Sequence, residues 1–197
     1  MWDERYEEPG YAYGERPNDF LVEAVARLPR RGGTALCLAD GEGRNGVYLA
    51  EQGFAVTSVD LSAVGLRKAR ALAAQRGVDI TTVHADLADF DLGRSAWDLV
   101  VSIFVHLPEE LRRRLHAGVA PSLRPGGHFI LEGYTPANVG RGVGGPPSVA
   151  LTFSAAELQE ELAALTLLRC EERERPIEEG RLHRGLSAVV QLVGRKE

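Results

Sequence analysis

Apolar residues in this chain follow two alternating spacings. Short apolar runs predict β-strands, and they read TALCLA, FAVTSV, DITTVHA, WDLVVSIF and HFILEGY. Between the runs lie segments in which apolar residues recur every three or four positions, which is typical of amphipathic helices. The predicted helices are DFLVEAVARL, residues 43–52, and the segments that follow Ser62, Pro108 and Ser154. Strand and helix patterns therefore alternate five times along the chain.

Capping residues support these helix boundaries. The side chain of Ser62 can accept a hydrogen bond from the free backbone N–H groups of the helix that follows it. The stretch Ser154–Glu157 matches a capping box, and Gly53 fits the position just past a helix end. Pro108 suits the first turn of its helix, where a proline loses no hydrogen bond.

The order of elements predicts an open α/β fold. Alternating strands and helices form a parallel sheet with helices on both faces. The chain ends in two more strand-like runs, LTLLRCEE and LSAVVQLV, which are joined by a polar stretch with Gly180. We therefore expect a doubly wound, mostly parallel, seven-stranded, Rossmann-like sheet with an antiparallel C-terminal hairpin. His183 and Arg184 lie near the hairpin turn and are expected at the surface.

Length and charge narrow the function classes. With 197 residues, the chain is long enough for one sizeable core. A net charge of −5 and a pI near 5.6 disfavour a nucleic-acid partner, because phosphate binding requires a basic surface. The densest basic group, Arg112–Arg114, falls within one predicted helix, which indicates a solvated helix face.

Metal binding, membrane insertion and export are not expected. The five histidines and two cysteines show no ligand-like spacing. Cys37 and Cys170 lie in apolar runs, as buried free thiols in a reducing cytosol would. The acidic start MWDERYEEPG does not resemble a secretory signal, and the apolar stretches are too short to span a bilayer. We expect a cytoplasmic protein.

The turn after the first strand carries the main functional signal. Ligands in such sheets bind beyond the carboxyl ends of the strands, where the strand order reverses. Here the turn reads DGEGRNG (residues 40–46), and its glycines allow a ligand close to the backbone. The literal G-x-G-x-x-G fits a nicotinamide dinucleotide, but the carboxylates of Asp40 and Glu42 would repel its pyrophosphate. A cationic ligand without phosphate, such as S-adenosylmethionine, suits this acidic turn better.

These residues resemble the first motif of the class I S-adenosylmethionine-dependent methyltransferases, and the resemblance covers nearly the whole chain. That motif is an acid, any residue and then G-x-G-x-G, and it falls on residues 37–43. Cys37 stands at the position of the acid, and Ala39 stands at that of the first glycine. We expect the alanine to be a mild departure. In the family the acid helps to hold the cofactor's amino-acid end. Asp40 is a candidate to take over part of that role, and weaker cofactor binding is the alternative.

The later motifs agree with the resemblance in order and spacing. Asp60 ends the second strand, where the family places an acid on the ribose hydroxyls, and a carboxylate can accept two hydrogen bonds from a cis-diol. Asp86, in HADL, matches the acid at the adenine amino group, with Leu87 beside it. SIFVHL matches the loop over the methionyl part, and LRPGG matches a recurrent turn of the family.

Within the class, the opening WDERYEEPGYAYGERPNDFL and the stretch GEGRN resemble the small-molecule branch, which includes the tellurite-resistance and thiopurine methyltransferases. In that branch the N-terminal aromatic segment folds over the cofactor. Tyr11, Tyr13 and Gly14 are then expected to line a lid, and Arg16 to reach the methionyl carboxylate. The resemblance implies cofactor contacts from Tyr13, Gly14, Arg16, Asp40, Gly41, Gly43, Asn45, Asp60, Leu61, Asp86, Leu87, Ser102 and Phe104.

Methyl transfer needs mainly alignment and a water-poor site, so a dedicated base is optional. His106, after the fourth strand, is a candidate to orient the acceptor or to act as a base, and a helix-capping role is the alternative. Tyr134 and Glu132, on the fifth strand, are candidate pocket residues, with a core tyrosine and a solvent-facing acid as alternatives. The loop TPANVGRGVGGPPSVALT is a candidate substrate loop or a mobile connector, in which Arg141 is placed to attract an anionic acceptor.

The resemblance implies one methyltransferase domain over residues 1–197. Its expected parts are a lid and helix (1–30), a cofactor-binding core (31–134), and a substrate loop, helix and hairpin (135–197). The expected reaction is in-line methyl transfer from S-adenosylmethionine to a small-molecule acceptor, with S-adenosylhomocysteine as product. An NAD(P)-dependent oxidoreductase stays open as an alternative. A non-catalytic, methyltransferase-like binding module is another, because of Cys37. The residues do not indicate the acceptor or the oligomeric state.

Overall fold

The computed structural model describes residues 2–29 and 32–197. The helices are α1 (Trp2–Glu7), α2 (Asp19–Ala26), α3 (Arg44–Glu51), α4 (Ala63–Arg76), α5 (Glu109–Ser122) and α6 (Ala155–Glu161). The strands are β1 (Gly33–Leu38), β2 (Phe54–Asp60), β3 (Ile80–His84), β4 (Trp97–Ile103), β5 (Leu123–Tyr134), β6 (Thr166–Glu179) and β7 (His183–Arg195). Two short 3₁₀ turns, Pro136–Asn138 and Val149–Leu151, lie between β5 and α6. The predicted segment boundary between residues 30 and 31 lies outside the described residues.

The seven strands form one sheet in the order β3-β2-β1-β4-β5-β7-β6. Strands β1 to β5 run parallel, and Leu38 of β1 pairs with Val59 of β2 on one side and Ser102 of β4 on the other. Strand β7 pairs antiparallel with both β5 and β6. The predicted fold is therefore confirmed. The hairpin is longer than its apolar runs indicate, because backbone pairing continues through the polar residues Arg173 to Glu179.

Alternate residues of β1 face two different cores, because successive side chains of a strand point to opposite faces. Leu36 packs in the cluster that contains Leu115 of α5. Cys37 packs in the cluster that contains Leu21 of α2 and Leu49 of α3. The helices therefore cover both faces of the sheet, with α4 beside α3 and α1 against α4.

Helix caps follow the sequence with one exception. The Ser62 side chain accepts a hydrogen bond from the Gly65 N–H, and Ser154 and Glu157 form the predicted capping box. Pro108 was predicted in the first turn of α5, and this is wrong by one residue. Its extended ψ of 143° makes it the N-cap, so α5 begins at Glu109.

The predicted burial of Arg112 and of Cys170 needs correction. Arg112 is only 2% exposed, so the prediction of a solvated face for Arg112–Arg114 is wrong at this residue. Its guanidinium turns inward to bind Glu161 of α6 at 2.8 Å, which ties α5 to α6. Cys37 is buried, whereas Cys170 is half-buried, and both thiols are free.

The strand order reverses between β1 and β4, so the carboxyl ends of β1, β2, β4 and β5 meet where a ligand is expected. The N-terminal segment and the turn between β6 and β7 also reach this edge, since Arg181 donates its backbone N–H to the Ala12 carbonyl. Across the described residues, no helix combines the length and apolarity that crossing a membrane requires.

Candidate active site

The turn after β1 contains two left-handed glycines, Gly41 and Gly43, with φ of 58° and 86°. A Cβ at Gly43 would lie 2.5 Å from the Cβ of Ala69, so helix packing against α4 accounts for this glycine. A Cβ at Gly41 would lie 2.6 Å from the hydroxyl of Tyr6. Ala39 has φ of 46°, so alanine in place of glycine is strained by about 1 kcal/mol and is not the mild departure expected.

Asp40 directs its carboxylate toward the start of α3. It accepts hydrogen bonds from the Ser58 hydroxyl at 2.6 Å and the Gly46 N–H at 3.3 Å. A Cβ at Gly46 would lie 2.4 Å from the Asp40 carboxylate, so only glycine leaves room for it. Burial raises the pKa of Asp40 to about 7, although both donors lower it. Its role toward the cofactor's amino-acid end stays a prediction.

Asp60 ends β2 with both carboxylate oxygens held by backbone. Oδ2 accepts the Gly41 N–H at 2.7 Å, and Oδ1 accepts the Ser62 N–H at 2.8 Å. Burial raises the pKa of this carboxyl, which is 6% exposed. Each oxygen keeps one lone pair, which is the arrangement that two neighbouring ribose hydroxyls require.

The other predicted nucleoside contacts lie at neighbouring strand ends. Leu61, beside Asp60, is 53% exposed. Asp86 is exposed after β3, where its Oδ1 accepts the Ala88 N–H at 2.8 Å, and Leu87 is buried in the core. Ser102 is buried at the end of β4. Their contacts with a cofactor stay predictions.

The N-terminal segment, residues 2–18, covers the glycine turn. The ring of Tyr6 is 5% exposed, and its hydroxyl lies over Gly41. The Ala12 N–H donates to the Glu42 carboxylate at 2.7 Å, and Lys68 Nζ donates to its other oxygen at 2.9 Å. The segment therefore lies where a lid is expected, and together with Lys68 of α4 it satisfies the buried carboxylate of Glu42.

The predicted lid residues have different surroundings. The ring of Tyr13 lies 4.6 Å from that of His183. Gly14, with φ of 74°, packs against the hairpin turn, where a Cβ would lie 3.3 Å from the Gly180 nitrogen. Arg16 is exposed, so its predicted reach to a methionyl carboxylate requires the side chain to turn inward.

A buried polar network ties this segment to the sheet. Glu132 of β5 is 0% exposed, so the alternative of a solvent-facing acid is wrong. It accepts hydrogen bonds from Arg175 at 2.8 and 2.6 Å, from Gln191 at 2.6 Å and from the side chain of Asn18 at 2.6 Å. Asn45, a predicted cofactor contact, accepts the backbone N–H of Asn18 at 3.0 Å and so holds the segment in place.

Glu179, at the end of β6, completes the network. It binds Arg44 Nη2 at 2.6 Å and Arg175 at 3.2 Å. Although burial raises the pKa of Glu179, Arg44 and Arg175 lower it below its usual range. Sequence reasoning gave no role to Arg44, Arg175 or Glu179. The stretch GEGRN contained a signal for Arg44, but the two hairpin residues lay in a run that resembles a polar connector.

Aromatic rings gather around His183 beside this network. The prediction that His183 lies at the surface is wrong, because its ring is 8% exposed under the N-terminal segment and the loop after β5, whereas Arg184 is exposed. The rings of Phe104 and Tyr134 stack 4.6 Å apart, and they lie 4.9 and 5.5 Å from the His183 ring. Burial lowers the pKa of His183 to about 3, and the Arg44 cation adds to this effect.

His106 has no free nitrogen in this arrangement, so its predicted role as a base is not supported. Its Nδ1 bonds the Leu151 carbonyl at 2.8 Å, and its Nε2 accepts the Tyr134 N–H at 3.3 Å. The ring lies between those of Tyr134 and Phe153, and burial lowers its pKa to about 4. It does not cap α5 either, since Pro108 is the N-cap. His106 instead holds the loop after β5 against the sheet.

The loop after β5 covers Tyr134. A Cβ at Gly145 would lie 2.8 Å from the Tyr134 ring, and one at Gly144 would lie 3.3 Å from its hydroxyl. The prediction that Arg141 attracts an acceptor is not supported, because it is exposed and binds Glu174 at 2.6 Å. The loop therefore contributes its backbone to the site, while its single charge faces outward.

Residues 2–29 and 32–197 contain no cluster of histidine, cysteine, aspartate and glutamate arranged to hold a metal ion.

Residues 35–127 match the family of methyltransferase domains. A curated relative, the 2-heptyl-1-hydroxyquinolin-4(1H)-one methyltransferase of Mycobacteroides abscessus, is 28% identical over 131 residues, which cover 65% of this chain. The chain spans 56% of the length of that relative.

Solved structures share the fold at low identity. TehB from Haemophilus influenzae is 20% identical with a TM-score of 0.75, over 91% of this chain and 62% of that one. An S-adenosylmethionine-dependent methyltransferase from Mesorhizobium loti is 22% identical with a TM-score of 0.68, over 91% of this chain and 99% of that one. The family match therefore shows that residues 35–127 are similar to methyltransferase domains, and the solved structures show that the chain shares their fold.

Proposed function

We propose that this chain binds S-adenosylmethionine at the glycine turn and methylates a small molecule. The geometry of Asp60 carries the proposal. Its two oxygens are fixed by the N–H groups of Gly41 and Ser62 at the carboxyl edge of the sheet, beside the switch point, and each keeps a lone pair for a ribose hydroxyl. In the same proposal Asp86 receives the adenine amino group.

The residues of the turn fit this cofactor better than a dinucleotide. The carboxylates of Asp40 and Glu42 lie within the turn, where a pyrophosphate would meet like charge. Glu42 is 4% exposed and already paired with Lys68, so that lysine is not free to bind a phosphate. When bound, S-adenosylmethionine supplies an activated methyl group and leaves a neutral thioether. The family match does not favour the nicotinamide alternative.

The chain's own residues align the reactants and exclude water. Tyr6 and Tyr13 cover the edge of the sheet from the N-terminal segment, and Gly144 and Gly145 cover it from the loop after β5. A covered site of this kind limits solvent around a transferring group. His106 acts by holding the loop, since both of its ring nitrogens are bonded.

We also propose that the methyl acceptor is a small molecule. The name of the curated relative describes a methyltransferase of a small hydroxyquinolone, which supports an acceptor of similar size here. We further propose that residues 1–197 work as a single domain, with the N-terminal segment as lid and the hairpin beside the acceptor. The cytoplasmic location stays a prediction.

Calorimetric titration with S-adenosylhomocysteine tests the cofactor assignment. We expect Asp60→Ala to weaken binding at least tenfold, which corresponds to about 1.4 kcal/mol for the two ribose hydrogen bonds. Asp79→Ala is the matched control, because Asp79 is an exposed acid just before β3. It lies at the amino edge of the sheet, whereas Asp60 lies at the carboxyl edge. Unchanged affinity in Asp60→Ala would overturn the assignment. Undetectable binding by the wild-type chain at millimolar ligand would favour the non-catalytic alternative.

A further inference from the structure

Three buried polar atoms at the carboxyl edge lack a hydrogen-bond partner among the described residues. They are Arg44 Nη1, the Tyr134 hydroxyl and His183 Nδ1. Their residues are 7%, 0% and 8% exposed. The structure leaves one more such atom, Nε of Arg195, at the far end of β7. Because an unpaired buried polar group destabilises a fold, such a cluster is typical of a site that a ligand completes.

The three residues adjoin one another, since the charge of Arg44 acts on both Tyr134 and His183. The rings of Tyr134 and His183 lie 5.5 Å apart and nearly perpendicular. Phe104 and Tyr13 close two sides, with ring centroids 4.9 and 4.6 Å from that of His183. Arg44 approaches from α3, held by its second nitrogen on Glu179.

The loop after β5 closes the cluster from the outside. A Cβ at Gly144 would lie 2.8 Å from the His183 ring and 3.3 Å from the Tyr134 hydroxyl. This glycine has φ of 110°, a conformation that residues with side chains rarely adopt. Gly144 therefore lies directly against both Tyr134 and His183.

The chemistry of the unpaired atoms indicates which group completes them. An arginine nitrogen only donates hydrogen bonds, and burial raises the pKa of Tyr134, which keeps its proton on the phenol. The carboxylates nearby are already used, because Glu132 and Glu179 are paired with Arg175 and Arg44. A ligand group that only accepts, and that carries negative charge, therefore matches Arg44 and Tyr134. The surrounding rings favour a flat apolar body behind that group.

We propose that Arg44 and Tyr134 bind a negatively charged oxygen of the methyl acceptor, and that this oxygen is borne on a small aromatic or heteroaromatic ring. The inference rests on the proposed methyltransferase function and names its acceptor class. Arg44 and Tyr134 act as binding residues for that oxygen. His183 borders the ring of the acceptor.

Binding of 4-nitrophenol to the full chain, saturated with S-adenosylhomocysteine, tests the proposal. The phenolate has its own absorption band, so the ionised form is measured directly. We expect the phenolate to bind at least tenfold more tightly than 4-nitroanisole, its neutral methyl ether, because only the anion pairs with Arg44. Selenite, an oxyanion without a ring, is expected to bind at least tenfold more weakly than the phenolate. Equal affinity for phenolate and anisole would overturn the proposal, and selenite binding as tight as phenolate would overturn its aromatic part.

Variants locate the contact. Tyr134→Phe removes only the unpaired hydroxyl, so we expect phenolate affinity to fall about fivefold, anisole affinity to stay unchanged and the thermal midpoint not to fall. Arg44→Gln is expected to remove the preference for phenolate over anisole. Tyr48→Phe, on α3, is the matched control. If Tyr134→Phe alters stability but keeps the full phenolate preference, the hydroxyl is structural and the proposal is wrong.

The two proposals fail in different ways. Retained S-adenosylhomocysteine binding without phenolate preference overturns the acceptor class and leaves the methyltransferase function in place. Absent S-adenosylhomocysteine binding overturns the proposed function, and the acceptor class with it.

Discussion

The two sides of the candidate site differ in how their polar groups are satisfied. The donor side, named for the proposed methyl donor, comprises the turn at residues 39–43, the end of β2 and α1. There the carboxylates of Asp40, Glu42 and Asp60 accept hydrogen bonds from nearby groups. The acceptor side, named for the proposed methyl acceptor, comprises the end of β5, the hairpin turn and the start of α3. There Arg44 Nη1 and the Tyr134 hydroxyl have no hydrogen-bond partner among the described residues. The donor side is complete as a structure, whereas the acceptor side leaves hydrogen-bonding capacity unused.

The difference follows from how far apart in the chain the partners lie. Gly41 and Asp60 are 19 positions apart, and one strand–turn–helix–strand unit brings them together. Asn18 and Glu179 are 161 positions apart, so their contact depends on the whole fold.

Loss of a buried carboxylate from the network on the acceptor side is expected to destabilise the fold strongly. Glu132→Gln leaves Arg175 without its main buried counter-ion, and we expect the free energy of unfolding to fall by about 3 kcal/mol. Urea denaturation measures this loss. Glu174→Gln, which removes an exposed partner of Arg141, is expected to cost under about 0.5 kcal/mol. A loss below about 1 kcal/mol in Glu132→Gln would mean that the network does not hold the two sides together.

The next effect separates packing from backbone strain on the donor side. Gly43 and Gly53 have nearly equal φ, 86° and 90°, but an added Cβ meets Ala69 only at Gly43. We expect Gly53→Ala to cost about 1 kcal/mol from φ alone, and Gly43→Ala to cost about 3 kcal/mol because α4 must also shift. Equal losses in thermal denaturation would show that contact with α4 does not determine Gly43.

The raised pKa of Asp40 predicts that the stability of the fold depends on pH. Its pKa is raised from 3.8 to about 7, so between these values the folded state holds a proton that the unfolded state releases. This contribution is fully present below the unfolded pKa and is lost as the pH rises to about 7. Relative to Asp40→Asn, the wild-type chain should lose on the order of 4 kcal/mol between those pH values, as measured by denaturation at a series of pH values. Parallel pH curves for the two proteins would contradict the raised pKa.

The smallest expected effect concerns the lid. Tyr6 covers the turn at Gly41, so Tyr6→Ala is expected to raise the dissociation rate of S-adenosylhomocysteine about threefold in stopped-flow measurements. Trp2→Ala changes a more exposed ring on the same helix and is the control, with an unchanged rate expected. If the two variants behave alike, α1 does not cover the bound nucleoside.

The fold was largely predictable from sequence, because it depends on short-range patterns. The strand alternation, the Ser62 cap and the capping box at Ser154 are confirmed by the structure. The position of His183 was not predictable, because a histidine in a polar stretch resembles a surface residue until the loop after β5 and the N-terminal segment close over it. Arg112 was missed for the same reason, since its partner Glu161 lies 49 positions away.

The role of His106 shows a further limit of sequence reasoning. Its place after β4 is correct for a catalytic residue, but the partners that occupy its ring nitrogens are backbone atoms of Leu151 and Tyr134. Almost every residue type offers the same backbone N–H and C=O groups, so the sequence does not show whether a histidine is bonded to them or free.

A crystal structure of the chain with S-adenosylhomocysteine would show where the nucleoside binds. We predict that both ribose hydroxyls lie within hydrogen-bond distance of the Asp60 carboxylate and that the sulfur faces the cluster of Phe104, Tyr134 and His183. A nucleoside bound elsewhere, or an Asp60 carboxylate directed away from the ribose, would contradict the account.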